Sequence, residues 1–413
     1  MRSIGVQARA TEGAAEIDQD DISRATARQR PGFSLDQPFY LDPAVFARDV
    51  ERLLSRHWLC AGHESTAPHP GDWFRFELAS EQVIIARGQD GMLRAFANVC
   101  RHRGSRLCAE PSGHAKSFVC PYHAWTYGLD GSLQAARHMP PGFDTARYGL
   151  KPVHLAVIEG IVFVSLAAKP LGLAHIAATV KDCLGPYGWT KARVAHRQTY
   201  PIAANWKLAV ENYLECYHCA PAHPEYSQLH ALEQPLARIE KLDRRMHERS
   251  AALGIAIPVH DHWVASASGE EAAYGFRYPL YDGVKTGSRD GGPLAPLMGD
   301  FRDYDGGITS VHLGPATFLV GYPDHGVIYR FIAESARRCA LEVIWLVRQD
   351  AEAGRDYDTA ALTWLWHVTS EADKRIIEEN QRGVASRFYE PGPYAPMEHN
   401  TQRWVGWYLR EIG

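Results

Sequence analysis

From residue 72 onward the chain falls into short runs in which apolar and polar residues alternate: WFRFELA, QVIIARG and MLRAFANV, with IEGIVFVSLA closing the series near residue 167. A period of two is the pattern of a strand with one face buried, so these runs predict a small antiparallel β-domain. Upstream, FYLDPAVFARDVERLLSRHWLC (residues 39–60) spaces its apolar residues at i, i+3/i+4 after Asp42-Pro43. That dipeptide is an N-cap followed by proline at the first helical position, and it predicts a helix. From Pro201 the texture changes, with residues 166–200 marking the change of domain. NWKLAVENYLECYHC reads as helix, and GITSVHLGPATFLVGYP, GVIYRFIAESA and ALEVIWLVRQD read as long strands. A further helical region runs from about Tyr357 to Phe388, and residues 230–300, rich in Gly, Pro and charge, predict loops and short elements over a pocket. Antiparallel strands with separate helices make the whole an α+β protein.

Composition narrows the class. A chain of 413 residues with 46% hydrophobic and 22% charged residues is long enough for two domains with sizeable cores. No window approaches eighteen uninterrupted apolar residues, so no membrane span is expected. The first 32 residues are polar and lack an apolar stretch with a cleavage site, predicting an extended arm and no signal peptide. Eight cysteines form no dense disulfide framework, which suggests a cytoplasmic address. A net charge of −4 argues against nucleic acid as a partner.

The chemistry begins in NVCRHRGSRLCAEPSGHAKSFVCPYHAWTYGLDG, residues 98–131. Cys100-x-His102 and Cys120-x-x-His123 are separated by seventeen residues, and each short segment supplies one Cys and one His. That suits a [2Fe-2S] cluster with two thiolates on one iron and two imidazoles on the other. Zinc is the alternative, although its sites usually pair cysteines within a segment. Gly104, Gly113 and Pro121 are turn formers that would let the loops bend around the cluster. Trp125 and Tyr127 alternate as in a strand packing beneath it, while Cys108, His114 and His138 read as packing or surface residues.

A second constellation lies in NWKLAVENYLECYHCAPAHPEY. Glu211, Glu215 and His218 fall at i, i+4 and i+7, one face of a single helix that Pro221 would end. His223 then sits on a turn able to fold back toward His218. Two imidazoles need one carboxylate to hold a mononuclear iron with open positions for O2. Many carboxylates are available. Asp373 is one, but Ser370 followed by Asp373 also reads as a helix capping box.

These motifs resemble the ring-hydroxylating oxygenase α subunits, from about residue 40 to the C-terminus. The likeness is carried by HWLCAGHES, VCRHRGSRLC and CPYHAWTYGLDG, by ENYLECYHCAPAH, and by EADKRIIEENQRG. It implies an N-terminal arm (1–40), an all-β Rieske domain (41–165) and a helix-grip catalytic domain (166–413). Ser105 and Tyr122 stand where respiratory Rieske proteins carry two extra cysteines, implying the lower-potential cluster. Asp373, eight residues before the Gln of a Gln-Arg-Gly motif, matches the third iron ligand. Asn212 matches a position beside the iron, and Glu215 takes the place of a bridging carboxylate. In the family that group joins a Rieske histidine of one subunit to an iron histidine of the next, here His123 to His218, within a homotrimer. Aromatic-ring members commonly carry Asp there, and members acting on quaternary ammonium compounds carry Glu. The resemblance therefore implies a monooxygenase that hydroxylates an N-methyl group, using O2. The chain shows no Gly-x-Gly-x-x-Gly fingerprint, so NAD(P)H would act through a separate flavin or iron–sulfur reductase. A cationic small-molecule substrate would want aromatic faces, for which Trp263, Tyr274, Tyr278, Tyr322 and Tyr329 are candidates. An aromatic-ring dioxygenase and an electron carrier with a vestigial second site are the competing readings.

Overall fold

The computed structural model describes residues 19–231, 236–264 and 268–413. Residues 1–18 of the predicted N-terminal arm lie outside that set; what is described begins with a helix, Gln19–Arg28. Seven antiparallel strands form the first sheet, in the order Leu59–His63, Ile161–Ser165, Pro152–Ile158, Leu93–Ala97, Glu81–Arg87, Asp72–Leu78 and Ser112–His114. A three-stranded sheet, Phe118–Val119, Thr126–Tyr127 and Leu133–Ala135, carries the second cluster loop. The period-two pattern explains how these sheets are filled. Phe74, Phe76, Val83 and Ile85 face a large core shared with the rest of the chain. Trp73, Ile84, Ala86 and Phe96 face the opposite way, into a smaller core with Cys100, Cys120 and Trp125. Glu81–Arg87 is thus buried on both faces, which is why QVIIARG alternates so weakly.

The second sheet also has seven antiparallel strands, in the order Ala192–Ile202, Arg338–Arg348, His325–Ser335, Thr317–Tyr322, Gly307–Leu313, Ala273–Pro279 and His260–His262. It starts before Pro201, so residues 166–200 are not simply a connector. The run predicted as one long strand is a hairpin, Gly307–Leu313 and Thr317–Tyr322, turned at Gly314 with φ +52°. The 26-residue helix Thr359–Val384 packs against this sheet, and its N-terminus is capped by Asp358, which accepts the Ala361 N–H at 2.7 Å.

Other expectations change in detail. The predicted helix over residues 39–60 is divided at Asp42, which accepts the Ala44 N–H at 2.8 Å and starts Pro43–Arg48 as the N-cap reading implies. Residues 230–300, expected to be loops, contain the 17-residue helix Leu236–Ala252. Its buried stripe is narrow, Leu242, Met246 and Ser250, so charge masks its periodicity. The C-terminal helix His399–Ile412 was not anticipated; it buries Trp404, Trp407 and Tyr408. Among the described residues no helix is long and apolar enough to cross a membrane.

A buried ionic junction ties the first sheet to the second. His57 Nδ1 lies 2.6 Å from Glu271, and its Nε2 lies 3.5 Å from Glu411 on the C-terminal helix. Burial disfavours the imidazolium, but the two carboxylates outweigh it and raise the His57 pKa to about 9. A raised histidine contributes stability that is complete below about pH 6.5 and disappears as pH passes 9. The shift is worth at most about 3 kcal/mol. Thermal melts should therefore fall in Tm between pH 7 and 9.5. His57→Gln should melt lower at pH 7 and show a flatter profile; equal slopes would remove the ion pair from the account.

Candidate metal centres

The two cluster loops turn in the same way. The Cys100 N–H donates to the Ser105 carbonyl at 2.8 Å and the Gly104 N–H to the Cys100 carbonyl at 3.0 Å. In the second loop the Cys120 N–H donates to the Trp125 carbonyl at 2.8 Å and the Ala124 N–H to the Cys120 carbonyl at 3.0 Å. Both loops close through a left-handed residue, φ +78° at Gly104 and +57° at Ala124. Only the glycine adopts this without strain. Gly113, expected at a turn, lies instead in the strand Ser112–His114. A Cβ there would meet Trp73 at 2.9 Å, so close approach explains the glycine.

These turns place both thiols inside and both imidazoles outside. Cys100 and Cys120 are buried, with the Cys100 sulfur 3.3 Å from Tyr127 Oη. Burial raises the Cys120 pKa, but the N–H groups of Tyr122 and His123, with contacts from Cys100 and Ser105, hold the thiol below its ordinary range. His102 and His123 are exposed and bring their Nδ1 atoms to 3.2 Å. Nitrogens bound to one tetrahedral metal at about 2.1 Å stand about 3.4 Å apart, so the pair fits one metal ion. Trp125 stacks on His102 at 4.8 Å. Of the residues read as bystanders, Cys108 is buried, His138 is exposed, and His114 lies 2.8 Å from Asp72.

The second site departs from the single-helix expectation. Helix Trp206–Tyr213 stops before Glu215, because the Glu215 carboxylate accepts the N–H groups of Tyr217 and His218 and draws the chain into a turn. Short helices Cys219–Ala222 and Pro224–Ser227 follow, with His223 at their junction and Pro221 inside the first. Glu211 is therefore off the site. It is buried, accepts the hydroxyls of Tyr40 at 2.9 Å and Tyr394 at 3.2 Å, and is pushed up by burial to about 7.

His218, His223 and Asp373 do come together, each offering a ligand atom within 4.8 Å of the others. Asp373 Oδ1 lies 3.3 Å from His218 Nε2 and 2.8 Å from His223 Nε2. Asp373 sits in the middle of Thr359–Val384, which Asp358 caps, so the capping-box reading fails. Burial works to raise its pKa, but contacts from both imidazoles keep the carboxyl below its usual range. A partly buried anion facing two nitrogens is a donor set that fits a divalent metal. Glu215 Oε1 lies 2.6 Å from His218 Nδ1, which leaves Nε2 turned toward Asp373.

Around these groups is a cavity of about 230 Å³. Asn212 and Glu215 line it, as do Tyr213, Phe276, Tyr278, Tyr329, Phe331 and Trp366. Of the predicted aromatic candidates, Tyr278 and Tyr329 are in this wall. Trp263 and Tyr274 instead lie under the Arg403 guanidinium, and Tyr322 is buried with its hydroxyl 2.8 Å from His230. Ser310 and His312 also line the cavity and were missed. Their i, i+2 spacing on Gly307–Leu313, like that of Phe276 and Tyr278 on Ala273–Pro279, was the available signal.

A two-thiolate, two-imidazole cradle on a β-domain, joined to a two-histidine, one-carboxylate pocket between sheet and helix, defines the class of Rieske non-heme iron oxygenases. Residues 57–156 match the Rieske [2Fe-2S] domain family and residues 190–413 the ring hydroxylating alpha subunit (catalytic domain) family. The chain belongs to the ring-hydroxylating oxygenase α-subunit family. It is an oxidoreductase that works with a Rieske cluster and a mononuclear iron. It is 37% identical over 384 residues to the glycine betaine monooxygenase oxygenase subunit of Pseudomonas aeruginosa, covering 92% of this chain and 89% of that one. The carnitine monooxygenase oxygenase subunit of Escherichia coli is 30% identical over 378 residues, with coverage of 88% and 87%. In fold the chain is similar to the quaternary ammonium Rieske monooxygenase CntA solved with L-carnitine, with a TM-score of 0.69, 22% identity and coverage of 97% and 100%.

Proposed function

We propose that this chain is the oxygenase component of a two-component monooxygenase acting on a small quaternary ammonium or betaine-type compound. Hydroxylation of an N-methyl group gives a hemiaminal, which breaks its C–N bond to release formaldehyde and the demethylated amine. The observation that carries this reading is the aromatic cavity at His218, His223 and Asp373. Aromatic faces attract an ammonium by about 0.5–2 kcal/mol each. Among the described residues lining the cavity, Lys374 is the only Lys or Arg. Burial lowers His312 to about 3, so this imidazole is neutral and does not repel a cation. Tyr329 and Trp366 line the cavity, and their Oη and Nε1 are buried and carry no hydrogen bond within the described residues. A volume of about 230 Å³ is below the roughly 300–1,000 Å³ of pockets for drug-sized ligands, as a compact substrate requires. The names of the glycine betaine and carnitine relatives support the same substrate class.

In this reading His218, His223 and Asp373 hold the mononuclear iron and Cys100, His102, Cys120 and His123 hold the cluster. Bound there, the two groups supply O2 activation and one-electron transfer. The polypeptide does the positioning. Glu215 fixes the tautomer and direction of His218, Asn212 borders the iron pocket, and the aromatic walls present the methyl group and exclude water. Electrons come from a separate NAD(P)H-dependent reductase. We also place the working junction between subunits of a homotrimer. The Glu215 carboxylate offers about four lone-pair positions and uses three within the chain, for Tyr217 N, His218 N and His218 Nδ1. One remains for a donor such as His123 of a neighbouring copy.

Purified protein supplied with a reductase and NADH should be offered glycine betaine, carnitine, choline and naphthalene. Formaldehyde should appear in step with O2 uptake for one or more of the ammonium compounds. A dihydrodiol from naphthalene with no formaldehyde from any amine would overturn the assignment.

A further inference from the structure

Cys216 and Cys219 flank Tyr217-His218 in a Cys-x-x-Cys spacing, and the reaction above uses neither thiol. The Cys219 N–H donates to the Cys216 carbonyl at 3.2 Å. This closes a β-turn, which holds its first and last Cα atoms within about 7 Å. A disulfide asks for a Cα separation of roughly 4.4–6.8 Å. Cys219 opens the short helix Cys219–Ala222, so the pair spans the turn that leads into it. Both side chains line the cavity, so a small oxidant that enters the active site reaches them. The remaining cysteines differ. Cys100 and Cys120 belong to the cluster cradle, and Cys60, Cys108, Cys183 and Cys339 are buried outside this cavity.

We propose that Cys216 and Cys219 form a reversible redox site that closes to a disulfide under peroxide and switches turnover off. One thiolate sulfur attacks the O–O bond of hydrogen peroxide and becomes a sulfenic acid as the first water leaves. The second thiol then displaces the sulfenic oxygen, which departs as the second water, and the S–S bond forms. Two thiols and one peroxide thus give one disulfide and two waters, the two electrons passing from sulfur to peroxide oxygen. Dithiothreitol reverses the bond by thiol exchange. The switch follows from position: His218 lies between the two cysteines along the chain, inside the turn they close, and drawing the sulfurs to a bond of about 2.05 Å tightens the turn that aims its Nε2 at Asp373. This consequence rests on the assignment of His218 as an iron ligand; formation of the disulfide does not.

The test treats the holoenzyme with a few equivalents of hydrogen peroxide, blocks free thiols with iodoacetamide and maps the peptides. The peptide containing both residues should be unalkylated and two hydrogens lighter, and should return to the reduced mass with dithiothreitol. Activity should fall at least about fivefold and recover with the same reductant, while the visible absorption of the cluster stays unchanged. Cys216→Ser and Cys219→Ala, each normalised to its own untreated rate, should lose less than about 1.5-fold under the same treatment. Alkylation of both thiols after peroxide, or oxidation to sulfinic acid, overturns the site. A disulfide that leaves the rate untouched, or a loss that follows bleaching of the cluster, overturns the switch. The peptide masses read the site without any substrate, so they stand even if the ammonium reading fails.

Discussion

Asp373→Ala should give a folded protein that keeps the visible spectrum of its [2Fe-2S] cluster, loses the mononuclear iron and forms at least about a thousandfold less product. The reason lies in what remains. Asp373 Oδ1 faces both His218 and His223, and without it two imidazoles bind Fe(II) more weakly than a full triad. The change should not harm the helix. Asp373 is internal to Thr359–Val384, and alanine is the better helix former there. It also removes a partly buried carboxylate. Tm should hold or rise, so a fall in activity can be separated from a fall in folding. Metal analysis reads the outcome: two irons and two sulfides per chain in the variant, against three irons in the parent. A variant that retains three irons and full turnover would leave the third ligand unidentified.

Mixing inactive variants should restore activity if electrons cross between subunits. His123→Ala removes an imidazole from the cluster cradle and should abolish its absorption, while the mononuclear site still loads iron. Alone it should be as inactive as Asp373→Ala. In a trimer assembled from both, an intact cluster in one copy can serve an intact iron in its neighbour, and a measurable fraction of the rate should return. Glu215→Gln tests the junction itself. It keeps size and one acceptor but removes the charge facing His218 Nδ1 at 2.6 Å. Both metals should remain and the cluster should still reduce, yet product formation should fall by about a hundredfold. Verified mixed trimers that stay inactive, with Glu215→Gln turning over normally, would mean that each chain works alone.

Much of the molecule could be read in the chain because its information is local. Cys100-x-His102 and Cys120-x-x-His123 each sit within one turn, so spacing alone implies a cradle. The β-runs of the first domain announce themselves by alternation, and the Asp42-Pro43 cap does what its chemistry requires. Resemblance supplied Asp373, which periodicity left open between a ligand and a cap. Three-dimensional packing decided the rest. Glu215 breaks the helix by taking backbone N–H groups, an outcome that an i, i+4, i+7 count does not foresee. The same count placed Glu211 beside the metal, whereas it is buried between Tyr40 and Tyr394. Tyr278 and Tyr329 line the cavity while Trp263, Tyr274 and Tyr322 do not. An aromatic residue's burial shows in its composition, but the face it presents depends on strand register across the sheet. The sequence by itself determined which ligand types exist and how each loop turns, because those depend on neighbours along the chain. Only the tertiary structure decided which carboxylate meets His218 and His223, and which aromatic faces surround them, because the Asp373 contact joins residues 150 positions apart and the aromatic walls come from separate strands and helices.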